Sequence, residues 1–381
     1  MADEALLCSE YVEFRENRVD IDARRVSKEE LQPWQGYAYL MTLSSRSTRA
    51  VAATAMSVLL LTSACTAGID NGNDEGASKK DVATGGRAFA TADKETAELG
   101  SDADPGVFPR TVRHANGTTE IAERPERIVV LDTGELDDVL ALGITPVGMV
   151  TTEGAHAVPS YLADQVKDVD TVGTINELNL ETIAELEPDL ILGSQLRADT
   201  LYEELESIAP TVFSIRPGFP WKENFALVGE ALGMEDEAAD ALNDYTRATD
   251  DLKEAVDGRP TISLVRFMPE RLRLYGNKSL IGVILDDAGF ARPEPQDIAE
   301  LAVEISPENL DQAGGDYVFY TSYGDPEATG ETTALSGSQW TGLSAVEDGR
   351  AFRVDDDVWF LGLGPIGAGQ IVDDLDSYLT D

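Results

Sequence analysis

A stretch from Trp221 to Val256 carries repeated Ala and Leu on a charged background and no strand pattern, and it separates two series of alternating strand and helix signals. This arrangement constrains the fold more than any other feature. The first series begins with strand 128–131, after the turn-favouring Arg124-Pro125-Glu126. A helical pattern over 135–142 stops at Gly143, a short strand covers 146–150, and the pattern repeats as helix 179–186, strand 189–192, helix 199–208 and strand 211–215. The second series reads as strand 261–267, helix 280–288, and strands 317–320 and 351–354. Only Leu232-Gly233-Met234 interrupts the connector, and the turn signal Gly258-Arg259-Pro260 marks its far boundary. The expected fold is α/β: two Rossmann-like lobes, 107–220 and 259–381, joined by a helical connector, 221–258, with a ligand cleft between them. A helical connection absorbs less dihedral change than a loop hinge, so the lobes are expected to move little against each other.

Ahead of the lobes the chain reads as processing and linker sequence. From Met41, Arg46 and Arg49 precede the uncharged run 50–61, and Thr62-Ser63-Ala64 places small residues directly before Cys65. The run is too short to span a bilayer. It resembles a bacterial lipoprotein signal over 41–64, with Cys65 lipidated and first in the mature chain, although Thr62 stands where the common pattern has Leu. Residues 1–40, rich in both acids and arginines, do not belong before an export signal and read as a start assigned too early, with Met41 the true one. Residues 65–106, poor in large apolar side chains, read as a disordered tether. The expected location is extracytoplasmic, held at the membrane by the lipid alone.

Charge excludes some functions. With 71 acidic against 29 basic residues the net charge is −42, which repels nucleic acid and anionic membrane surface. Such acidity suits a saline habitat without proving one. The two cysteines, Cys8 and Cys65, both lie in leader-like sequence, and the two histidines, His114 and His156, cannot build a zinc or copper cluster, so no protein-held metal is expected. Gly362-Leu363-Gly364-Pro365-Ile366-Gly367 matches a dinucleotide-binding pattern. It lies too near the end of the chain for a βαβ unit and reads instead as a turn before a terminal helix. No nucleophile elbow supports a hydrolase, so no catalytic residue is assigned.

Against this acidic background, 259–285 holds Arg259, Arg266, Arg271, Arg273 and Lys278 with a single acid, Glu270. Arg266, at a strand end, is either paired with a protein carboxylate or kept for an anionic ligand. Arg197 lies just past the carboxyl end of a strand, where open α/β sheets place ligands. Arginines from both lobes, with Tyr275, Phe267, Trp221, Tyr323 and Trp359 among the aromatic candidates, suit a large planar anion; Arg273 is given no ligand role.

The segments 124–150, 172–194, 265–293 and 358–375 resemble the substrate-binding lipoproteins of iron-siderophore ABC importers, a helical-backbone class of periplasmic-type binding proteins that includes vitamin B12 and haem binders. The resemblance implies a non-enzymatic, monomeric protein without cofactor that captures a ferric siderophore and delivers it to an ABC permease with its ATPase. The siderophore itself coordinates the iron. It also implies ligand-facing roles for Arg197, Arg266, Tyr275 and Trp359, and permease contacts at Asp199, or its neighbour Glu203, and at Glu308. Cobalamin or haem is the alternative cargo within the class, and an extracellular α/β hydrolase the alternative outside it.

Overall fold

The computed structural model describes residues 88–152, 154 and 156–380, all within one compact unit, Asp70–Asp381. The expectations for 1–40, for the signal at 41–64, and for Cys65 with the tether as far as residue 87 lie outside the described residues. The far end of the expected tether is corrected. Helix α1 (Ala92–Thr96) and strand β1 (Gly100–Ser101) are folded, and β1 pairs antiparallel with β2 (Arg110–His114), itself paired with β3 (Gly117–Ile121). Ala92 is fully buried, so structure begins well before Val107.

The first lobe holds β4 (Ile128–Val130), α2 (Thr133–Ala141), β5 (Gly148–Thr151), β6 (Asp170–Thr174), β7 (Glu177–Leu178), α3 (Leu180–Glu185), β8 (Leu190–Ser194), α4 (Tyr202–Ile208) and β9 (Thr211–Ser214). Its sheet runs β7-β6-β5-β4-β8-β9, parallel except at the β7 edge. Period-two alternation sends Ile128 and Val130 to one apolar cluster and Val129 and Leu131 to another, so both faces are covered, as a parallel sheet requires. From β4 the chain continues to one side of the sheet and from β8 to the other. Their adjacent carboxyl ends therefore form a switch point.

The connector is α5 (Trp221–Leu232) and α6 (Glu235–Ala255). Gly233 ends α5 in the left-handed region at φ 63°, where a side chain would be strained. The 21 residues of α6 rise about 31 Å and pack against the terminal helix.

The second lobe contains β10 (Ile262–Met268), β11 (Arg271–Tyr275), α7 (Leu280–Asp287), β12 (Ala302–Ile305), β13 (Tyr317–Ser322), β14 (Ala351–Arg353) and α8 (Pro365–Thr380). Its sheet order is β12-β11-β10-β13-β14, with β10, β13 and β14 parallel and β11 and β12 antiparallel. The β10–β11 hairpin, absent from the sequence reading, turns on Pro269 and Glu270, the latter at φ 64°. Proline pre-sets the first turn position and the glutamate takes the left-handed one. The outcome is two α/β lobes joined by helix, with the sheets' carboxyl edges meeting at a cleft.

Candidate functional site

The cleft encloses about 350 Å³ and draws its walls from both lobes. From the first lobe come Arg197, on the short helix Gln195–Ala198 that follows β8, and Arg216, in the turn after β9. From the second come Arg266 and Met268 at the end of β10, Arg271, Arg273 and Tyr275 along β11, and Tyr323 past β13. Strand geometry explains the second set. Arg266 pairs directly with Arg273 across the hairpin, so both point to the same face, and every second residue of β11 joins them. The intervening Leu272 and Leu274 enter the core beneath, together with Phe267 and Val265.

Two of these arginines are anchored to buried acids. Asp132 caps α2 by accepting from the Thr133 N–H at 2.7 Å, and its other oxygen accepts from Arg197 Nε at 2.8 Å. Arg266 forks onto Asp356, Nε to Oδ1 at 2.7 Å and Nη2 to Oδ2 at 2.5 Å, while Nη1 donates to the Tyr275 hydroxyl at 3.3 Å. The Tyr323 and Phe360 rings lie 4.7 and 5.1 Å from its guanidinium carbon. Both readings of Arg266 thus hold together: it is paired with a carboxylate, and it also lines the cleft. Arg273 pairs with Glu304 at 2.8 Å, but that acid is half exposed. Burial and then the nearby Arg197 charge pull Arg216 down to about 10. Arg197, Arg216, Arg266, Arg271 and Arg273 gather five guanidiniums at one cleft of a strongly acidic protein, flanked by aromatic and aliphatic side chains. Such a surface is suited to an anion with apolar bulk.

The structure sorts the other candidates. Trp221 is a correction: it is fully buried, packed edge-on against Tyr245 at 4.8 Å, and is core rather than cleft. Phe267 is a second correction, for its neighbour Arg266 faces the cleft and period two sends Phe267 the other way. Tyr275, Tyr323 and Trp359 do line the site. Trp359 backs it from within the core, stacked on Phe319 with its indole N–H donating to Asp374 at 2.8 Å, and the adjacent Phe360 stands edge-on to Tyr275. Arg216 is a cleft residue that sequence reasoning missed, and Arg271 and Arg273, noted there only as members of the basic cluster, also line the cleft. Away from the cleft, Asp199 accepts from Asn116 Nδ2 at 2.8 Å, and Glu203 and Glu308 are exposed on α4 and on the turn Pro307–Ala313.

The glycine motif has a structural use. The Asp137 carboxylate of α2 accepts the N–H groups of Ile366 at 2.7 Å and Gly367 at 3.0 Å, at the amino end of α8, and the Tyr161 hydroxyl at 2.6 Å. A Cβ on Gly364 would meet Asp137 at 2.7 Å, so glycine allows the two lobes to approach. This helix terminus takes a carboxylate of the same chain where a nucleotide-binding loop takes phosphate. His156 and Asp357 make a second tie between the lobes at 2.5 Å. Among the described residues no group of three or more His, Cys, Asp or Glu is placed to hold a metal ion, and no helix is long and apolar enough to cross a membrane.

Comparison with known proteins agrees with this geometry. A family described as "Periplasmic binding protein" matches residues 128–358. The "Probable siderophore-binding lipoprotein YfiY" of Bacillus subtilis (strain 168) is 38% identical over 284 residues, covering 71% of this chain and 87% of the relative. The "Fe(3+)-citrate-binding protein YfmC" of the same organism is 30% identical over 68% of this chain and 82% of its own length. The crystal structure of Staphylococcus aureus SirA complexed with staphyloferrin B matches with a TM-score of 0.65 at 30% identity, covering 71% of this chain and 98% of that one.

Proposed function

The chain belongs to the periplasmic binding protein family, and from that premise we propose that it captures a ferric siderophore outside the cytoplasm and hands it to the permease of an ABC importer. The observation that carries the reading is the cleft, with arginines from both lobes beside Tyr275, Tyr323 and Phe360. Guanidiniums neutralise a charged chelate and fork onto its oxygens, while the rings cover its apolar framework. The iron comes with its chelator, so the protein has only to recognise the complex and needs no cofactor or catalytic group.

Ligand contact is assigned to Arg197, Arg266, Tyr275 and Tyr323, with Trp359 behind them and Arg216, Arg271, Arg273 and Phe360 added. Exposed Glu203 and Glu308, one on each lobe, offer carboxylates to a permease, with Asp199 at the start of the same surface turn as Glu203. Cys65 is the lipid attachment point, and the protein acts as a monomer.

The test is titration of tryptophan fluorescence, which Trp359 makes sensitive to the cleft, with ferric citrate, a ferric hydroxamate, a ferric catecholate, cobalamin and haemin. Saturable quenching by a ferric chelate is the expected result. Quenching by cobalamin or haemin alone, or by none of the five, overturns the reading.

A further inference from the structure

A second, much smaller cavity lies inside the first lobe, between α2, the carboxyl ends of β8 and β9, and α5. It has about 10 Å³ of room, about the least that one water needs. Glu135 of α2 and Asn224 of α5 both line it, at 4% and 7% exposure. Each keeps one buried oxygen, Glu135 Oε2 and Asn224 Oδ1, without a hydrogen-bond partner among the described residues. The Asn224 amide cannot turn round to relieve this, because its Nδ2 donates to the Arg216 carbonyl at 2.8 Å and a carbonyl only accepts. The rest of the wall supplies little. Leu192, Val212, Leu227 and Val228 are aliphatic, and Ser214 Oγ gives its hydrogen to the Gly193 carbonyl at 3.5 Å.

Two acceptor oxygens at one void need a donor between them, since a buried acceptor left unpaired is costly. Burial, with Asp132 nearby, pushes Glu135 up to about 8, so at neutral pH its carboxyl holds a proton. A water can then accept from the acid and donate to Asn224 Oδ1, and once the acid ionises the same water can donate to both oxygens. A cation fits less well. Hard cations take about six oxygens or more, whereas this wall offers one carboxyl, one amide oxygen and one hydroxyl, and Arg197 is close enough to act on the Glu135 charge.

The arrangement reaches the cleft through the backbone. Leu196, beside Arg197, donates its N–H to the Ile215 carbonyl at 3.1 Å, and Asn224 holds the next carbonyl along, that of Arg216. The turn after β9 is therefore held from within the lobe, before any ligand arrives. We propose that the small cavity is a binding site for one water molecule, which bridges Glu135 and Asn224 and thereby fixes the backbone of residues 214–216 at the cleft wall. The site stands whatever the cleft binds, so it does not rest on the ferric-chelate reading.

A crystal structure of the wild-type protein, with the buffer cation exchanged for thallium(I), tests the occupant. One peak within hydrogen-bond distance of Glu135 and Asn224, without anomalous signal, is expected. No peak, or an anomalous peak marking a cation, overturns the proposal. Hydrogen exchange with no chelate present tests the effect on the turn. Glu135→Gln keeps a polar group and the water, whereas Glu135→Met keeps the bulk and removes both oxygens. The Leu196 amide should exchange about 5-fold or more faster in Glu135→Met than in Glu135→Gln, the scale of one orphaned buried acceptor. Amides of β10, in the other lobe, should exchange alike in the two variants. Equal rates at Leu196, or the same acceleration at β10, overturn the role in the turn. Should Glu135→Met fail to fold, Glu135→Leu takes its place, and the wild-type crystal decides the site in either case.

Discussion

Arg266 and Asp356 form a two-point ion pair at the floor of the cleft, both of them buried, with Tyr275, Tyr323 and Phe360 around the guanidinium. The pair brings a stability role and a binding role onto one side chain. Removing Arg266 strands a largely buried carboxylate, and breaking such pairs typically costs about 3 to 5 kcal/mol. Arg266→Gln should therefore lower both the denaturation midpoint and the affinity for a ferric chelate. Asp356→Asn should lower the midpoint while leaving much of the affinity, since the cation stays in the cleft. Urea denaturation and fluorescence titration of the two variants separate these effects, and an Arg266→Gln protein of unchanged stability would contradict the buried pair.

The buried acids of α2 make a prediction about pH. Burial, with Asp132 nearby, pushes Glu135 up to about 8, and burial lifts Asp138 well above the carboxylate range. Both are raised over their unfolded values, so the stability they contribute is present at low pH and is lost as pH rises through the folded values. His114 runs the other way: burial lowers it to about 4, so its contribution is lost as pH falls from about 6.5 towards 4 and is constant above neutrality. Asp137, raised by burial to about 6, has already titrated by pH 7. Between pH 7 and 8.5 the acids of α2 decide the sign. The denaturation midpoint should fall across that interval, by at most about 1.4 kcal/mol per pH unit for each group. Glu135→Gln should flatten the fall and stabilise the protein at the upper end; a midpoint that rises in the wild type would refute this.

The tie between Asp137 and the amino end of α8 predicts a stiff pair of lobes. Wild-type scattering profiles with and without saturating ferric chelate should coincide within error, because α6 is helical and the Asp137 bonds hold the lobes beside it. Gly364→Ala places a methyl group against the Asp137 side chain and should loosen that contact. The variant should show a ligand-dependent change in radius of gyration that the wild type lacks. Identical behaviour of the two proteins would mean that the connector alone sets the stiffness.

Much of the architecture was legible because it follows from local periodicity and stop signals. The strand at Ile128, the Gly143 stop and the break at Gly233 all act over a few residues. The β10–β11 hairpin is harder to see because Arg271-Leu272-Arg273-Leu274-Tyr275 presents first as a cluster of charge, although its strict alternation is a strand signal. The same alternation excludes Phe267 once Arg266 faces the cleft. Nothing in the sequence excluded Trp221, because the face that a helix start presents depends on what packs there. Partners such as Asp356 for Arg266 lie 90 residues away along the chain and become visible only in three dimensions. Helix α1 was missed because five residues of mixed polarity carry too little pattern to register, and Ala92 is buried by neighbours from both lobes.

Arg273 provides the sharpest contrast with Arg266, which it faces across the hairpin. Its side chain is as deeply placed, 6% exposed against 7%, but its partner Glu304 is 53% exposed where Asp356 is 10%. Loss of Arg273 leaves Glu304 to water and to Arg271 at 3.7 Å, and pairs whose acid stays solvated in this way are worth about 0 to 1 kcal/mol. Arg273→Gln should therefore leave the denaturation midpoint nearly unchanged. If an anionic chelate reaches the cleft face shared by the two arginines, its loss should still weaken binding by roughly 1 to 3 kcal/mol, or about 5- to 150-fold. Binding loss without stability loss at Arg273, beside loss of both at Arg266, is the expected pattern. Unchanged affinity in Arg273→Gln would move the ligand off β11 and towards Arg197 and Arg216 on the opposite wall.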